Sequence, residues 1–188
     1  EYFWGIGMAF ERTTSQVLFD NGIHKCISFT SLVKGEGVQA NQFLIIDNER
    51  AAVLDPGGDL TYVPLTMELN KYTRLTNLDL VMASHQDPDI ITSMPRWLVY
   101  TDAKVVASKL WARFLPHLNS AFMSDRMKGN WLDRLVELPD HGQVITLGQS
   151  SIIAVPAHFL HSVGNFQYYD PIAIILFSGD MGASMVDD

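Results

Sequence analysis

The segment Leu78-Asp79-Leu80-Val81-Met82-Ala83 runs without a break into Ser84-His85-Gln86-Asp87-Pro88-Asp89, so a short apolar run ends abruptly on polar and turn-forming residues. A run of this length and character reads as a buried strand. The polar residues that follow cannot enter a core unpaired, so the strand must end at a loop on the rim of its sheet, where chemistry is commonly placed. His85, Asp87 and Asp89 are spaced i, i+2 and i+4. Extended backbone turns alternate side chains to one face, so one imidazole and two carboxylates can converge on one point. The pentapeptide also reads as a polar turn with an ordinary loop histidine, and by itself it supports both readings.

The flanking sequence alternates strand and helix patterns. Gln42 to Asp47 and Ala51 to Asp55 are apolar runs separated by Asn48-Glu49-Arg50, the pattern of a β-hairpin. Asp55-Pro56-Gly57-Gly58-Asp59 stops the second strand, and a helix running to about Tyr72 is expected to carry Pro64 in its first turn. Thr92 to Tyr100 reads as a helix, Lys104 to Ala107 as a strand and Ser108 to His117 as a helix capped by Ser108. Residues 118–140 read as partly helical. Gln143 to Leu147, Ser151 to Val155 and Ile172 to Ser178 give three further strands in a more antiparallel half. The expected class is α/β with mixed sheets. No linker or repeat divides the 188 residues, so a single domain over 1–188 is expected. Residues 1–7 precede Met8 with no signal-peptide pattern and are expected to be foreign to the domain.

Two later segments repeat the theme of a metal-competent group beyond a strand. His161 lies in the turn-rich His161-Ser162-Val163-Gly164-Asn165, and Asp180 closes the last apolar strand in Ser178-Gly179-Asp180. Each has a plain explanation alone, as a core histidine or a turn aspartate. Their joint occurrence in one order is much less probable by chance.

Taken together, Ser84 to Asp89, Phe159 to Phe166 and Leu176 to Ala183 resemble the metallo-β-lactamase fold, and within it the flavodiiron and oxygen-binding di-iron proteins. The resemblance spans roughly Leu18 to Ser184 and includes Leu54-Asp55-Pro56-Gly57, similar to the Asp-bearing strand end that precedes the metal motif in that fold. It implies an αββα sandwich of mixed β-sheets flanked by helices. It also implies that His85, Asp87 and His161 bind one metal, Asp180 bridges two, and Asp89 binds the second. Asp87 stands where the di-iron branch usually has Glu, a carboxylate with an arm one methylene shorter. The family's last histidine for the second metal has no counterpart within the few residues after Asp180, so the expectation is either a missing C-terminal part or a second metal that is incompletely held. His158 reads as a loop or buried histidine, and His24, His117 and His141 as surface or packing residues.

The resemblance further separates two chemistries. Zinc hydrolases of this fold have His at the positions of Asp87 and Ile90, whereas a shell rich in carboxylates with open positions suits non-haem iron. Two iron ions binding O₂, or NO, are therefore expected, with a redox or signalling protein as partner and a homodimer by analogy; a dizinc hydrolase is the alternative. A flavodoxin-like electron donor is not recognisable in these residues, which favours an oxygen sensor over a self-sufficient reductase.

Charge and composition narrow the partners. Lys and Arg number 13 against 21 Asp and Glu, a net charge of −8 that repels nucleic acid. No apolar run has the length of a membrane span, and Gly5-Ile6-Gly7 and Gly57-Gly58 lack the rest of a dinucleotide or phosphate loop. The single cysteine, Cys26, reads as a packed thiol and fits a cytoplasmic location.

Overall fold

The computed structural model describes residues 14–35, 37–119, 125–127 and 129–182. Residues 1–7 and the end of the third motif at Ala183 lie outside them.

Seven strands form the first sheet in sequence order: β1 (Ser15–Asp20), β2 (His24–Phe29), β3 (Gln42–Asp47), β4 (Arg50–Leu54), β5 (Leu78–Met82), β6 (Lys104–Ser108) and β7 (Leu135–Leu138). The first four pair antiparallel and β4 to β7 pair parallel. The change of pattern follows the sequence, since β4, β5 and β6 are near-continuous apolar runs of the kind that parallel strands covered on both faces require. The β3–β4 hairpin forms as expected, with Asp47 opposite Arg50 and only Asn48-Glu49 between them. Asn48 takes the left-handed conformation such a tight turn needs.

A second sheet of four antiparallel strands has the order β11-β10-β9-β8: β8 (Gln143–Leu147), β9 (Ser150–Pro156), β10 (Phe166–Asp170) and β11 (Ile175–Phe177). Its inner face meets the first sheet in a core where Cys26, Ile45 and Met82 pack with Leu147, Ile152 and Tyr168. The outer face of the first sheet is covered by α1 (Asp59–Leu69) and by Trp97 of α3 (Met94–Tyr100). A third cluster joins α2 (Pro88–Ile91), α3 and Leu115 to the ends of β5 and β6. The result is two stacked sheets with helices over the outer face of the first, three of the four layers expected of the αββα sandwich; among the described residues no helix covers the second sheet, whose outward residue Val144 is exposed.

Several expectations are corrected in detail. The first helix starts at Asp59, so Pro64 lies inside it and not in its first turn, and the helix stops at Leu69. Tyr62, Leu65 and Leu69 are buried on its inner face, and that packing holds the helix across the proline. The Ile172 to Ser178 run is not one strand. Asp170 Oδ1 accepts from the backbone N–H groups of Ile172 and Ala173, turning the chain there, and only Ile175–Phe177 pairs with β10. Of the partly helical 118–140, residues 120–124 and 128 lie outside the described residues; among the described ones Trp131–Arg134 forms a short 3₁₀ turn and Leu135–Leu138 is the strand β7. Ser108 caps α4 (Lys109–Ala112), accepting from Leu110 N–H, but the helix ends after one turn and a 3₁₀ segment Leu115–Leu118 follows.

A buried polar clamp joins the two sheets at one end. His24 Nε2 lies 2.6 Å from Asp170 Oδ2 and Nδ1 lies 3.2 Å from Asp47 Oδ1, with all three side chains buried. Cys26 Sγ–H donates to Asp170 at 3.2 Å, and Gln149 N–H donates to Asp47 at 2.7 Å. Burial opposes protonation of His24, but Asp170 and then Asp47 outweigh it and raise its pKa above the ordinary 6.5. Burial raises the carboxyls of Asp47 and Asp170, yet the donors facing them, Gln149 N–H and His24 for the first and His24 and Cys26 for the second, hold both below 3.8.

A raised histidine stabilises the fold fully below its unfolded value and ceases to as pH rises through its folded value; a lowered carboxyl stabilises above its unfolded value and ceases to as pH falls through its folded value. The clamp therefore contributes most between 3.8 and 6.5. Thermal melting of the metal-free protein should show the clamp weakening as pH rises past the raised His24 value. His24→Gln should lower stability by about 3–5 kcal/mol, because it strands two buried carboxylates, and should flatten the alkaline limb.

Candidate metal centre

The site is built at the ends of strands. After Leu54 the chain turns through Asp55, which is held in the left-handed region by a hydrogen bond from its N–H to Met82 O at 2.8 Å. Gly57, also left-handed, packs so close to Thr61 that a Cβ there would lie 2.5 Å from it, and its N–H donates to Ile90 O. This seats the turn against the end of β5. Asp55 then spends both carboxylate oxygens on Ser84: Oδ1 accepts from the backbone N–H at 2.7 Å and Oδ2 from the hydroxyl at 3.0 Å.

Ser84 Oγ also lies 2.9 Å from His85 Nδ1. A hydroxyl has one proton, and this one is committed to Asp55, so the oxygen accepts from the imidazole. Nδ1 is thereby the protonated nitrogen and Nε2 carries a free lone pair directed into the site. Burial pushes Asp55 up to about 6, against the pull of the two Ser84 donors.

Four of the five residues singled out in the sequence come together. One donor atom from each of His85, Asp87, His161 and Asp180 lies within 4.8 Å of the others. Asp87 Oδ2 is 3.2 Å from His161 Nε2 and 3.4 Å from His85 Nε2, and Asp180 Oδ2 is 3.5 Å from His85 Nε2 and 4.0 Å from His161 Nε2. The imidazoles meet edge to face with centroids 4.7 Å apart. Asp89 stands outside this group, half-buried in the first turn of α2 and lining a recess with Gly58, Leu60 and Thr92. His158 is directed elsewhere, with Nε2 2.9 Å from Asp140 O.

Two of the grouped residues, Asp87 and His161, carry a local cost. Asp87 is the N-cap residue of α2, yet its side chain makes no capping bond. Its Oδ1 accepts instead from Gln86 Nε2 at 3.3 Å, while Oδ2 faces the imidazoles. His161 has φ 82° and Phe159 φ 66°, non-glycine residues in the left-handed region, each at a cost of about 1–3 kcal/mol. The loop is held by Asn165 Nδ2 donating to Leu160 O, Trp111 Nε1 donating to Val163 O, and Ser162 Oγ donating to Gln86 Oε1. Asp180 comes close because Gly179 passes within van der Waals reach of Ser84, where a Cβ would lie 3.0 Å from Oγ.

The donor set fits a cation. His85 Nε2 is fully buried without a hydrogen-bond partner, although two carboxylates stand 3.4 and 3.5 Å from it, aligned too poorly to bond. Burial disfavours its protonation, but Asp180, then Asp55 and Asp87, outweigh this and raise its pKa; Asp180 is lowered in turn, chiefly by His85. The field in the site is thus one that attracts positive charge. A second group, His24, Cys26 and Asp170, has donors equally close, but there each nitrogen and carboxylate is already bonded to a neighbour. Ser84, Gln86, Ser162 and Asn165 support the site without having been singled out in the sequence. Two of them interleave with the ligand-type residues, the only signal available in one dimension.

The family model described as ODP family beta lactamase matches residues 38–188. Among solved structures, the peroxy diiron species of chemotaxis sensor ODP has 35% sequence identity and a TM-score of 0.78, covering 93% of this chain and 67% of that one. The apo state of chemotaxis sensor ODP from T. denticola has 37% identity and a TM-score of 0.75, covering 93% of this chain and 66% of that one. The chain thus spans about two thirds of the length of these proteins. MEM-A1, a subclass B3 metallo-beta-lactamase from a soil metagenome library, matches with 16% identity and a TM-score of 0.61 over 78% of this chain and 54% of that one, a likeness of fold alone. No curated protein matches the sequence.

Replacing Ser84 by Ala removes the acceptor of His85 Nδ1–H. Imidazole ¹⁵N spectra of the metal-free variant, above the His85 pKa, should change from one tautomer to a mixture, and metal affinity should fall about 10–100-fold.

Proposed function

The chain belongs to the ODP family beta lactamases, and from that premise we propose that it is a non-haem di-iron protein that binds O₂ and acts as an oxygen sensor. The observation that carries this reading is the buried, unpartnered Nε2 of His85 among two carboxylates and a second imidazole. His85, Asp87 and His161 would hold one iron, and Asp180 would bridge to the other. The family resemblance assigns Asp89 to the second iron, although its side chain stands outside the group of four. When bound, the iron pair supplies electrons and open coordination positions for O₂.

The chain's own residues prepare the site. In the neutral imidazole Ser84 keeps the proton on Nδ1 of His85 and leaves Nε2 to the metal, and Asp55 keeps the Ser84 hydroxyl aimed away from that ring. The carboxylates of Asp87 and Asp180 balance the charge of a cation held between the two histidines. A dizinc hydrolase is not favoured. Ile90 stands where the sequence reading places a histidine in such enzymes, and it is buried in α2 against Ile91, Met94 and Leu98.

The sensor reading, rather than a reductase, is supported by the two chemotaxis sensors at 35% and 37% identity. A signalling or redox protein as partner, a homodimer, and NO as a second ligand belong to the same proposal. So does a cytoplasmic location, which suits the free, buried Cys26; among the described residues no helix is long and apolar enough to cross a membrane. We also read the described chain as one domain, because a shared core joins both sheets.

Anaerobic loading with ferrous iron should give about two irons per chain by elemental analysis, and a new visible absorption band should follow on admitting O₂. His85→Ala should lose tight binding of at least one iron. Retention of both irons by that variant, or tightly held zinc with an unchanged spectrum, would overturn the reading.

A further inference from the structure

We propose that Gln86 is a positioning residue that works with Ser162 as a strap, fixing which oxygen of Asp87 is offered to the metal and tying the two ligand-bearing loops together. The proposal rests on the reading of His85, Asp87 and His161 as iron ligands.

In extended backbone Gln86 would turn away from its neighbours His85 and Asp87. Here its side-chain amide reaches both loops: Nε2 donates to Asp87 Oδ1 at 3.3 Å, and Oε1 accepts from Ser162 Oγ at 3.2 Å. The amide orientation is dictated by its partners. A carboxylate only accepts, so it must face the NH₂ end, which leaves the carbonyl end for the serine hydroxyl. The consequence falls on Asp87, whose side chain is 36% exposed and has just two torsions. It is an N-cap residue whose carboxylate would ordinarily swing back to the first turn of α2, and no such bond forms. With Oδ1 tethered to Gln86, Oδ2 is the oxygen that stands 3.2 Å from His161 Nε2 and 3.4 Å from His85 Nε2.

Ser162 directly follows His161, so the strap links the residue before one ligand to the residue after another. It also bears on a loop that holds Phe159 and His161 left-handed, a conformation that persists only where the surroundings over-determine it. Gln86 and Ser162 are both partly exposed, with no part in the core clusters. Their loss should therefore leave the fold intact.

The test uses Gln86→Leu, Ser162→Ala and the hydroxyl-retaining Ser162→Thr, with cobalt(II) as a spectroscopic probe in competition with a chelator. Gln86→Leu and Ser162→Ala should bind cobalt about 10–100-fold more weakly and alter its visible spectrum, Ser162→Thr should restore both, and metal-free melting should stay that of the parent. In the metal-free proteins the carboxyl ¹³C signal of Asp87 should shift in the two disruptive variants and not in Ser162→Thr. Unchanged affinity and an unchanged Asp87 signal would overturn the strap. A parent protein that binds no metal but shows the Asp87 shifts would sink the metal reading and leave the strap standing.

Discussion

The carboxylate of Asp55 is the constraint on which the site depends. It is buried at the end of β4, and its two oxygens are satisfied by the backbone and hydroxyl of Ser84, the second residue after β5. Parallel neighbours such as β4 and β5 end side by side, and this pair of bonds locks the two ends in one arrangement. The rest follows from counting protons. Ser84 has one to give and gives it to Asp55, so it accepts from His85 and leaves Nε2 of that imidazole bare. A buried ring nitrogen without a partner is costly unless something cationic or donating fills the place before it.

The two histidine-and-carboxylate clusters show how the same residue types serve opposite ends. At the far end of the sandwich His24 is saturated by Asp47 and Asp170, and those carboxylates take further bonds from the β8–β9 and β10–β11 turns. That cluster closes the structure on itself. Around His85 the carboxylates stand 3.4 and 3.5 Å away, near enough to set the field and too poorly aligned to satisfy the nitrogen. Satisfaction of one cluster and incompleteness of the other is the physical difference between a structural clamp and a binding site.

Local stability is surrendered around the open cluster. Asp87 forgoes a cap, His161 and Phe159 accept left-handed backbone, and Gly179 gives up a side chain so that Asp180 can approach. The cost is met by hydrogen bonds from residues with no ligand role, such as Asn165 and Trp111 holding the His161 loop. Candidate ligands placed on such a loop and at the N-cap of a four-residue helix are held by these side-chain bonds more than by secondary structure.

Much of this was legible in one dimension. Apolar runs of strand length located β3 to β6, β8 and β9, and the abrupt polar ends of two runs, with the His161 turn, pointed to four residues that do converge. The exposed residues of β1 defeated periodicity, because an edge strand has little apolar alternation to read. The apolar run from Ile172 suggested a strand that begins only at Ile175, since Asp170, five residues before it, caps a turn that hydropathy does not record. The ligand types and their order are properties of the sequence, because donor chemistry and the two-residue period of extended chain belong to residues and their spacing. Which nitrogen of His85 carries the proton, which oxygen of Asp87 faces the site and why Asp89 stands apart were decided only by tertiary structure, because each depends on partners up to 76 residues away in sequence and brought within hydrogen-bonding distance by the packing of two sheets.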